Sequence, residues 1–555
     1  MIRNKNITGL LIFVVVIILI NILAAKYFTR LDLTEDKRYS LSSAAKDIVD
    51  DVESPVIIDV FLEGSFPSEF RRLKEETKQM LEEFAAYNTN INFNFIDPLA
   101  EGDDANAVAE EFYKLGMTPA RLNVQENGKN SETIIFPWAI ANFEDKTVKI
   151  PLLKNQIGAS DEERVSSSVQ QLEYVLTDGL NKLIYPRTKK IAVMRGNGEL
   201  PDARIADFIK AIQEYYFLAP FTLDSVANNP QKTLEDLKSY DLVIEAKPVI
   251  PYSEKEKYVL DQYLMNGGKL LWMAEMTNME NDSLFNERGA ALALPRDLNL
   301  GDYFFSYGLR INSELVNDLY SAPIILASGS GNETRFNPYP WYYSPLTSSM
   351  STHPIVNNIE AVKFNYANPI DLLKNDLQKT VLLSSSPKTK LEGTPLQIGL
   401  DIIGSKPQME SYTAGEQPLA VLLEGSFKSV YSNRVKPFET THLDNSLNTK
   451  MVVISDGDVV KNELQQGKPL ELGFERYTGM TYGNKEFLLN TVNYLLDDSG
   501  LVDIRTKEIS LAFLNREKVA AEREMWQMVT IIVPLILLAL FGLAFHYFRK
   551  RSYIR

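Results

Sequence analysis

A mixed α/β fold of two extramembrane domains, flanked by two apolar stretches, is predicted by three observations. Strand-like runs alternate with helical periodicities through most of the chain. Residues 7–25 (ITGLLIFVVVIILINILAA) and 526–548 (WQMVTIIVPLILLALFGLAFHYF) carry no charged residue. The 555 residues contain no cysteine, so no disulfide staples the structure and folding rests on apolar burial.

Each apolar stretch holds about twenty residues, enough to cross a bilayer core of ~30 Å at ~1.5 Å per residue. Arg3 and Lys5 precede the first; Lys26 and Arg30 follow it. A cleaved signal is the competing reading, with Leu23-Ala-Ala25 as a weak cleavage site, although signal apolar regions usually run only about 7–15 residues. Pro534 in the second stretch is tolerable in a membrane helix. Arg549, Lys550, Arg551 and Arg555 follow it, which predicts a cytoplasmic C-terminus. Two spans then place both termini in the cytoplasm and the bulk outside it. Expected boundaries are an anchor over 1–29, a first domain over 30–186, a second over 187–500 with an insertion near 290–450, a juxtamembrane segment over 501–524, and a membrane helix with basic tail over 525–555.

The net charge is −15, which argues against nucleic acid as a partner, because phosphate binding needs clustered Lys and Arg. Without cysteine, thiol catalysis and Cys-ligated zinc are excluded. Only three histidines, His353, His442 and His546, are present.

In the first domain, Thr34 or Ser42 could cap a short helix. Strands are expected over 56–61 and 91–96, the latter alternating strictly as INFNFI. Helices are expected over 68–87, where Phe70, Leu73, Met80, Leu81 and Phe84 recur at near-helical spacing, and over 106–115. A third strand over 121–125 follows Pro119. A hairpin of 133–143 with 147–153 and a helix over 160–184 complete the order βαβαββα. That order resembles a thioredoxin-like fold without its cysteines: the loop Glu63-Gly-Ser-Phe-Pro67 has none, and Pro119 stands where thioredoxins carry a cis-proline. A scaffold or docking role follows, not a redox one.

In the second domain, strands over 191–194, 242–244, 269–273 and 451–455 alternate with helices over 205–215, 253–266 and 486–496. Gly267-Gly268 ends the middle helix. Such alternation predicts a doubly wound parallel sheet, flavodoxin- or amidotransferase-like, with ligands at the carboxyl ends of its strands. That edge carries Gly196, Asn197, Gly198 and Glu199 after one strand and Glu275 after another. The glycines let a backbone approach an anion, or they only make a turn. The dinucleotide fingerprint is incomplete, and Gly268-Lys269 lacks the P-loop pattern. No G-x-S-x-G elbow occurs, and His353 and His442 read as surface or capping residues. The stretch RFNPYPWYYSP contributes Trp341 and Tyr342 as a sugar-binding or partner face, or as packing beneath a loop. Asp456 and Asp458 form a turn whose carboxylates read as solvated, and no metal or cofactor is expected.

RLDLTEDKRYSLS, RGNGELPD, YSEKEKYVLDQYLMNGGKLLWM, QPLAVLLEGSFKS, VVISDGD and NKEFLLNTVNYLL occur in this order. Together they resemble the GldG family, the auxiliary extracytoplasmic subunits of gliding-motility-type ABC transporters. The resemblance spans the chain. It implies a non-catalytic, substrate-binding-like subunit in a bacterial inner membrane, with a periplasmic bulk. It also implies a permease and a cytoplasmic ATPase as partners; other envelope proteins and self-association are compatible with it. The central sheet also resembles a domain of an intraflagellar-transport subunit. Many relatives carry histidine where Asn197 stands. A second reading from the residues alone is an envelope glycan-binding or glycan-cleaving protein that uses Trp341, Glu199 and Glu275, which would need two carboxyls about 5–10 Å apart across a cleft.

Overall fold

The computed structural model describes residues 13–21, 32, 34, 40–64, 66–100, 104–126, 129–154, 156, 158–329, 334–347, 351–497, 499–507 and 516–553. Of the first apolar stretch only residues 13–21 fall within this set, and they are helical. The remainder of that stretch, Ser65 and most of RLDLTEDKRYSLS lie outside the described residues.

The first domain begins with α1 (Ser43–Asp50), capped by the Ser42 hydroxyl, which accepts the Ala45 N–H. Then follow β1 (Val56–Val60), α2 (Ser68–Tyr87), β2 (Ile91–Phe95), α3 (Ala105–Lys114), β3 (Ala120–Glu126), β4 (Lys129–Ile135), β5 (Trp138–Phe143), β6 (Lys146–Pro151) and α4 (Asp161–Ile184). The sheet order is β2-β1-β5-β6. β1 runs parallel to β2 and antiparallel to β5. The continuous strand expected over 133–143 is in fact two strands in two sheets. β4 pairs only with β3, and β5 joins the main sheet. Pro137 is the cause: it has no N–H for a ladder, and Trp138 N–H turns back to the Phe136 carbonyl at 2.8 Å. Pro119 is also not cis; the cis peptide among the described residues is Thr394–Pro395. α4 opens with a reciprocal capping box between Ser160 and Glu163. It buries Val165, Val169, Leu172, Leu176, Leu180 and Leu183, a helical stripe set against α2 and β6.

The second domain is built on β7 (Lys190–Arg195), α5 (Asp202–Gln213), β8 (Phe217–Thr222), α6 (Pro230–Leu237), β9 (Leu242–Ala246), α7 (Glu254–Met265), β10 (Lys269–Met273), β11 (Gln378–Ser384), β12 (Pro418–Lys428), β13 (Asn445–Ile454) and α8 (Asn484–Leu496). The strand order is β11-β12-β13-β10-β9-β7-β8. β8, β7, β9, β10 and β13 are parallel, β12 is antiparallel to β13, and β11 is antiparallel to β12. The sheet is therefore mixed rather than wholly parallel. The stretches at 380–384 and 419–423 extend its edge.

Side chains alternate between two cores, as strand geometry requires. Ala192, Met194, Val243, Leu270, Trp272, Met451 and Val453 pack with Leu234 and Leu237 of α6 and Tyr258 of α7. Ile191, Val193, Leu242, Ile244, Leu271, Met273, Val452 and Ile454 pack with Phe208 of α5 and Leu488 of α8. Between β10 and β13 the chain also folds short antiparallel pairs around a third core that contains Trp341, Tyr343, Tyr366 and Ile398.

Charged side chains join the two domains. Glu486 of α8 meets Lys154 at 3.5 Å and Arg505 at 2.6 Å. The Asn358 amide donates to the Ser167 carbonyl at 3.1 Å. Glu173, buried on α4, accepts the Ser42 N–H on one oxygen and the Lys507 ammonium on the other, each at 2.6 Å. Lys507 also donates to the Ser40 carbonyl at 2.8 Å.

A separate unit, residues 509–555, contains the helix α9 (Arg516–Tyr553). Its span Ala521–Arg551 is, among the described residues, the one helix long and apolar enough to cross a membrane. Pro534 lies inside it.

Candidate functional site

The carboxyl edge of the second sheet carries a cluster of charged side chains. β9 is buried along its whole length and delivers Lys247 at its end, in a left-handed conformation with φ 58°. β10 delivers Glu275, and β13 delivers Asp456-Gly-Asp458. The Lys247 ammonium lies 2.6 Å from Asp458 and 3.4 Å from Glu275, and it also contacts Glu280. Arg296 meets Glu275 at 2.6 Å. Lys461 meets Glu280 at 2.7 Å and Asp458 at 3.2 Å. A Cβ on Gly457 would stand 2.3 Å from the Lys247 stem, so glycine between the aspartates is what lets the lysine pass.

Burial and neighbours separate the two aspartates. Burial pushes the Asp456 carboxyl well up, and the charges of Asp458 and Glu275 add to that. Burial acts on Asp458 too, but Lys247 and Lys461 outweigh it and hold the carboxyl below its usual range. Asp456 accepts the Asn365 N–H at 2.6 Å and the Asp458 N–H at 2.7 Å. Burial raises the Glu275 carboxyl as well, against the pull of Lys247 and Arg296. The expectation that this turn is solvated is thus overturned: Asp456 is fully buried and Asp458 nearly so.

Ligand atoms of Glu275, Asp456 and Asp458 lie within 4.8 Å of one another, a grouping that could hold a metal ion. The Lys247 ammonium sits among the same carboxylates and supplies the positive charge such an ion would bring. The cluster reads as structural.

Glu199 belongs to a different group. Its Oε2 accepts the Asn197 N–H at 3.0 Å, and burial raises its pKa. Glu245 on β9 is fully buried and accepts the Tyr252 hydroxyl at 2.8 Å. Burial, then the nearby Glu199, pushes its pKa well up. Glu245 Oε1, Glu199 Oε1 and Trp272 Nε1 have no hydrogen-bond partner among the described residues.

The turn Gly196, Asn197, Gly198, Glu199 folds under its neighbours. Val249 N and Ile250 N both donate to the Asn197 carbonyl at 2.9 Å, and a Cβ on Gly198 would meet Val249 at 2.5 Å. Trp341 has no exposed surface, which fits the packing alternative and not a sugar-binding face: the dense aromatics bury one another, with Tyr343 at 5.7 Å. Tyr342 is half-buried and packs edge-on against Tyr412. The structure therefore brings Glu275 into a charge cluster, leaves Glu199 in another group, and seats Trp341 in a core. His353 accepts the Ile355 N–H at 3.3 Å, and His442 joins Tyr258 and Asp444 at 3.1 Å each.

Beside the cluster opens a cleft of about 700 Å³. Arg204, Glu280, Lys363, Lys461, Glu463 and Glu475 line it with the rings of Phe336, Tyr477 and Tyr482. Phe336 and Tyr477 stack at 4.1 Å. The sequence reading names none of these residues. The available signal was a Lys three positions after an Asp, as at Lys461.

Residues 188–491 match the family described as an ABC-type uncharacterized transport system. Residues 35–142 match a family described as a domain of unknown function. An uncharacterized protein of Borreliella burgdorferi is 20% identical over 532 residues, 94% of each chain. Among solved structures, the mmIFT52 N-terminal domain aligns at 13% identity with a TM-score of 0.31, covering 56% of this chain and 99% of that one.

Proposed function

The chain belongs to the ABC-type uncharacterized transport system family, and from that premise we propose that it is a non-catalytic, membrane-anchored auxiliary subunit of an ABC transporter. Its partners in this reading are a permease and a cytoplasmic ATPase in a bacterial inner membrane. Its two large domains work outside the cytoplasm, where they bind a partner or substrate. The resemblance to gliding-motility subunits suggests the cellular process. The first domain's order β2-β1-β5-β6 followed by α4 supports a cysteine-free thioredoxin-like reading, hence a docking role.

The observation that carries the proposal is the family match over the sheet domain. Three further features support it. The C-terminal helix is long and apolar enough to anchor the chain. Glu173 ties residues just after the first apolar stretch to residues just before the C-terminal helix, as a double anchor on one side of a membrane requires. At the sheet edge Glu275, Glu280 and Asp458 are bound to lysine or arginine, which favours scaffolding over acid–base chemistry for those three. The glycan-cleaving alternative is weakened, because Trp341 is buried and Glu275 is paired with Arg296.

Purification of the full-length protein from its own membranes in mild detergent tests the proposal. Recovery of a permease and an ATPase in fixed ratio supports it. Recovery of the chain without them counts against it.

A further inference from the structure

The cleft beside the ion cluster has an uneven pairing of charge. Of its lining carboxylates, Glu280 and Asp458 are bound by Lys247 and Lys461. Glu463 lies against Glu475 and 3.8 Å from Arg476. Burial and the neighbouring Glu475 raise Glu463 to about 7, so near neutrality this pair presents an O–H donor as well as charge. Asp282 is exposed.

The cations are different. Arg204 and Lys363 line the same space, and neither has a carboxylate within 4 Å among the described residues. Lys363 overlies the Tyr482 ring at 5.5 Å, and its charge acts on Glu463 from beyond ion-pair distance. Both are held from behind. The Arg204 carbonyl accepts the Asn462 N–H at 2.7 Å, and the Asn484 side chain brackets Lys363 by accepting its N–H at 3.0 Å and donating to its carbonyl at 2.8 Å. Those contacts anchor the backbone that carries each cation, and cations in a partly enclosed space gain more from an anion than surface cations do. The site also lies at the carboxyl ends of the strands, where such sheets bind ligands.

We propose that this cleft binds a small anionic ligand, with its carboxylate or phosphate between Arg204 and Lys363 and its body against the Phe336–Tyr477 stack. The ligand is the substrate class of the binding role proposed above, and the inference rests on that reading for its biological meaning. The cleft's chemistry is independent of which membrane partners the chain has.

The test is isothermal titration of full-length protein in detergent at fixed ionic strength, with inorganic phosphate, citrate and glucuronate as probes and glucose as the neutral control. Binding of at least one anion, absent for glucose, is expected, with a loss of at least tenfold in both Arg204→Gln and Lys363→Met. Arg204→Lys, which keeps the charge, should retain part of the affinity. Thermal melts of each variant establish that it is folded, and the two positions serve as independent checks. No anion binding beyond that of glucose, or unchanged affinity in both folded variants, overturns the proposal. Co-purification of permease and ATPase with the same variants is read separately: its failure sinks the transporter reading, and its success with no anion binding sinks only this inference.

Discussion

Glu173 Oε2 lies 2.6 Å from Lys507 Nζ, across 334 positions of sequence. The same carboxylate holds the Ser42 backbone through its other oxygen. It is 1% exposed, so solvent screens the pair little. Removing one partner of a buried pair costs about 3–5 kcal/mol. Glu173→Gln is expected to lower the melting temperature of the large unit by several degrees. The double variant Glu173→Gln/Lys507→Met should cost less than the sum of the two single variants. Additive effects in that cycle would mean the contact carries no coupling.

Lys247→Met removes the ammonium from among Glu275, Asp458 and Glu280. Destabilisation of about 3–5 kcal/mol is expected. The vacated position would then offer Glu275, Asp456 and Asp458 to a divalent cation. Millimolar calcium or manganese should therefore raise the melting temperature of the variant and leave the parent unchanged. Equal responses in the two proteins would refute the account of Lys247 as the resident cation.

Glu463 titrates near 7 in the folded chain, raised by burial and by Glu475. The unfolded value lies near ~4.3. A raised carboxyl favours the fold fully below the unfolded value, and that contribution is lost as pH rises through the folded one. Between pH 4.5 and 7 this residue should make stability fall with pH. Glu463→Gln should remove that part of the slope in denaturant melts taken across the range. An unchanged slope would locate the titration elsewhere.

Gly198 and Gly267 separate two costs of adding a methyl group. Both have positive φ, 75° and 90°. A Cβ on Gly198 would stand 2.5 Å from Val249, whereas one on Gly267 meets nothing within 4 Å. Gly267→Ala pays only for left-handed backbone, of order 1–3 kcal/mol. Gly198→Ala should cost about 1–3 kcal/mol more through overpacking. Urea denaturation of both variants reads the difference; equal losses would show that the Gly196–Glu199 turn yields freely.

Long periodic elements were legible in the chain. The helix at 68–87 and the buried strands read at 242–244 and 269–273 follow directly from spacing and apolar runs, the first of these strands running on to Ala246 in the fold. β8 was not. It is an edge strand with Pro220 opposite Val193, and an edge tolerates a proline that a central strand would not. Its alternation is correspondingly weak. α6 is only eight residues long, and its cues are local: Asn229 as cap, with Pro230 in the first turn. The charge cluster was half legible. Glu275 and the D-G-D turn stood out, but nothing in the spacing shows that Lys247, about two hundred residues from Asp458, fills the gap between them. Pairing across such distances belongs to the fold rather than to any motif.

The junction of Ser42 and Lys507 on one helix side chain, with Ser40 held by Lys507, also bears on where mechanical load can travel. Tension on the segment before Ser42, or on the segment after Lys507, meets α4 before it meets any strand of either sheet. Two carboxylates, Glu173 of α4 and Glu486 of α8, hold the segment that ends at Lys507. Through Arg505 and Glu486 the same segment also reaches α8, whose Asn484 holds the Lys363 backbone at the cleft, so the cleft and the two chain ends share one helix.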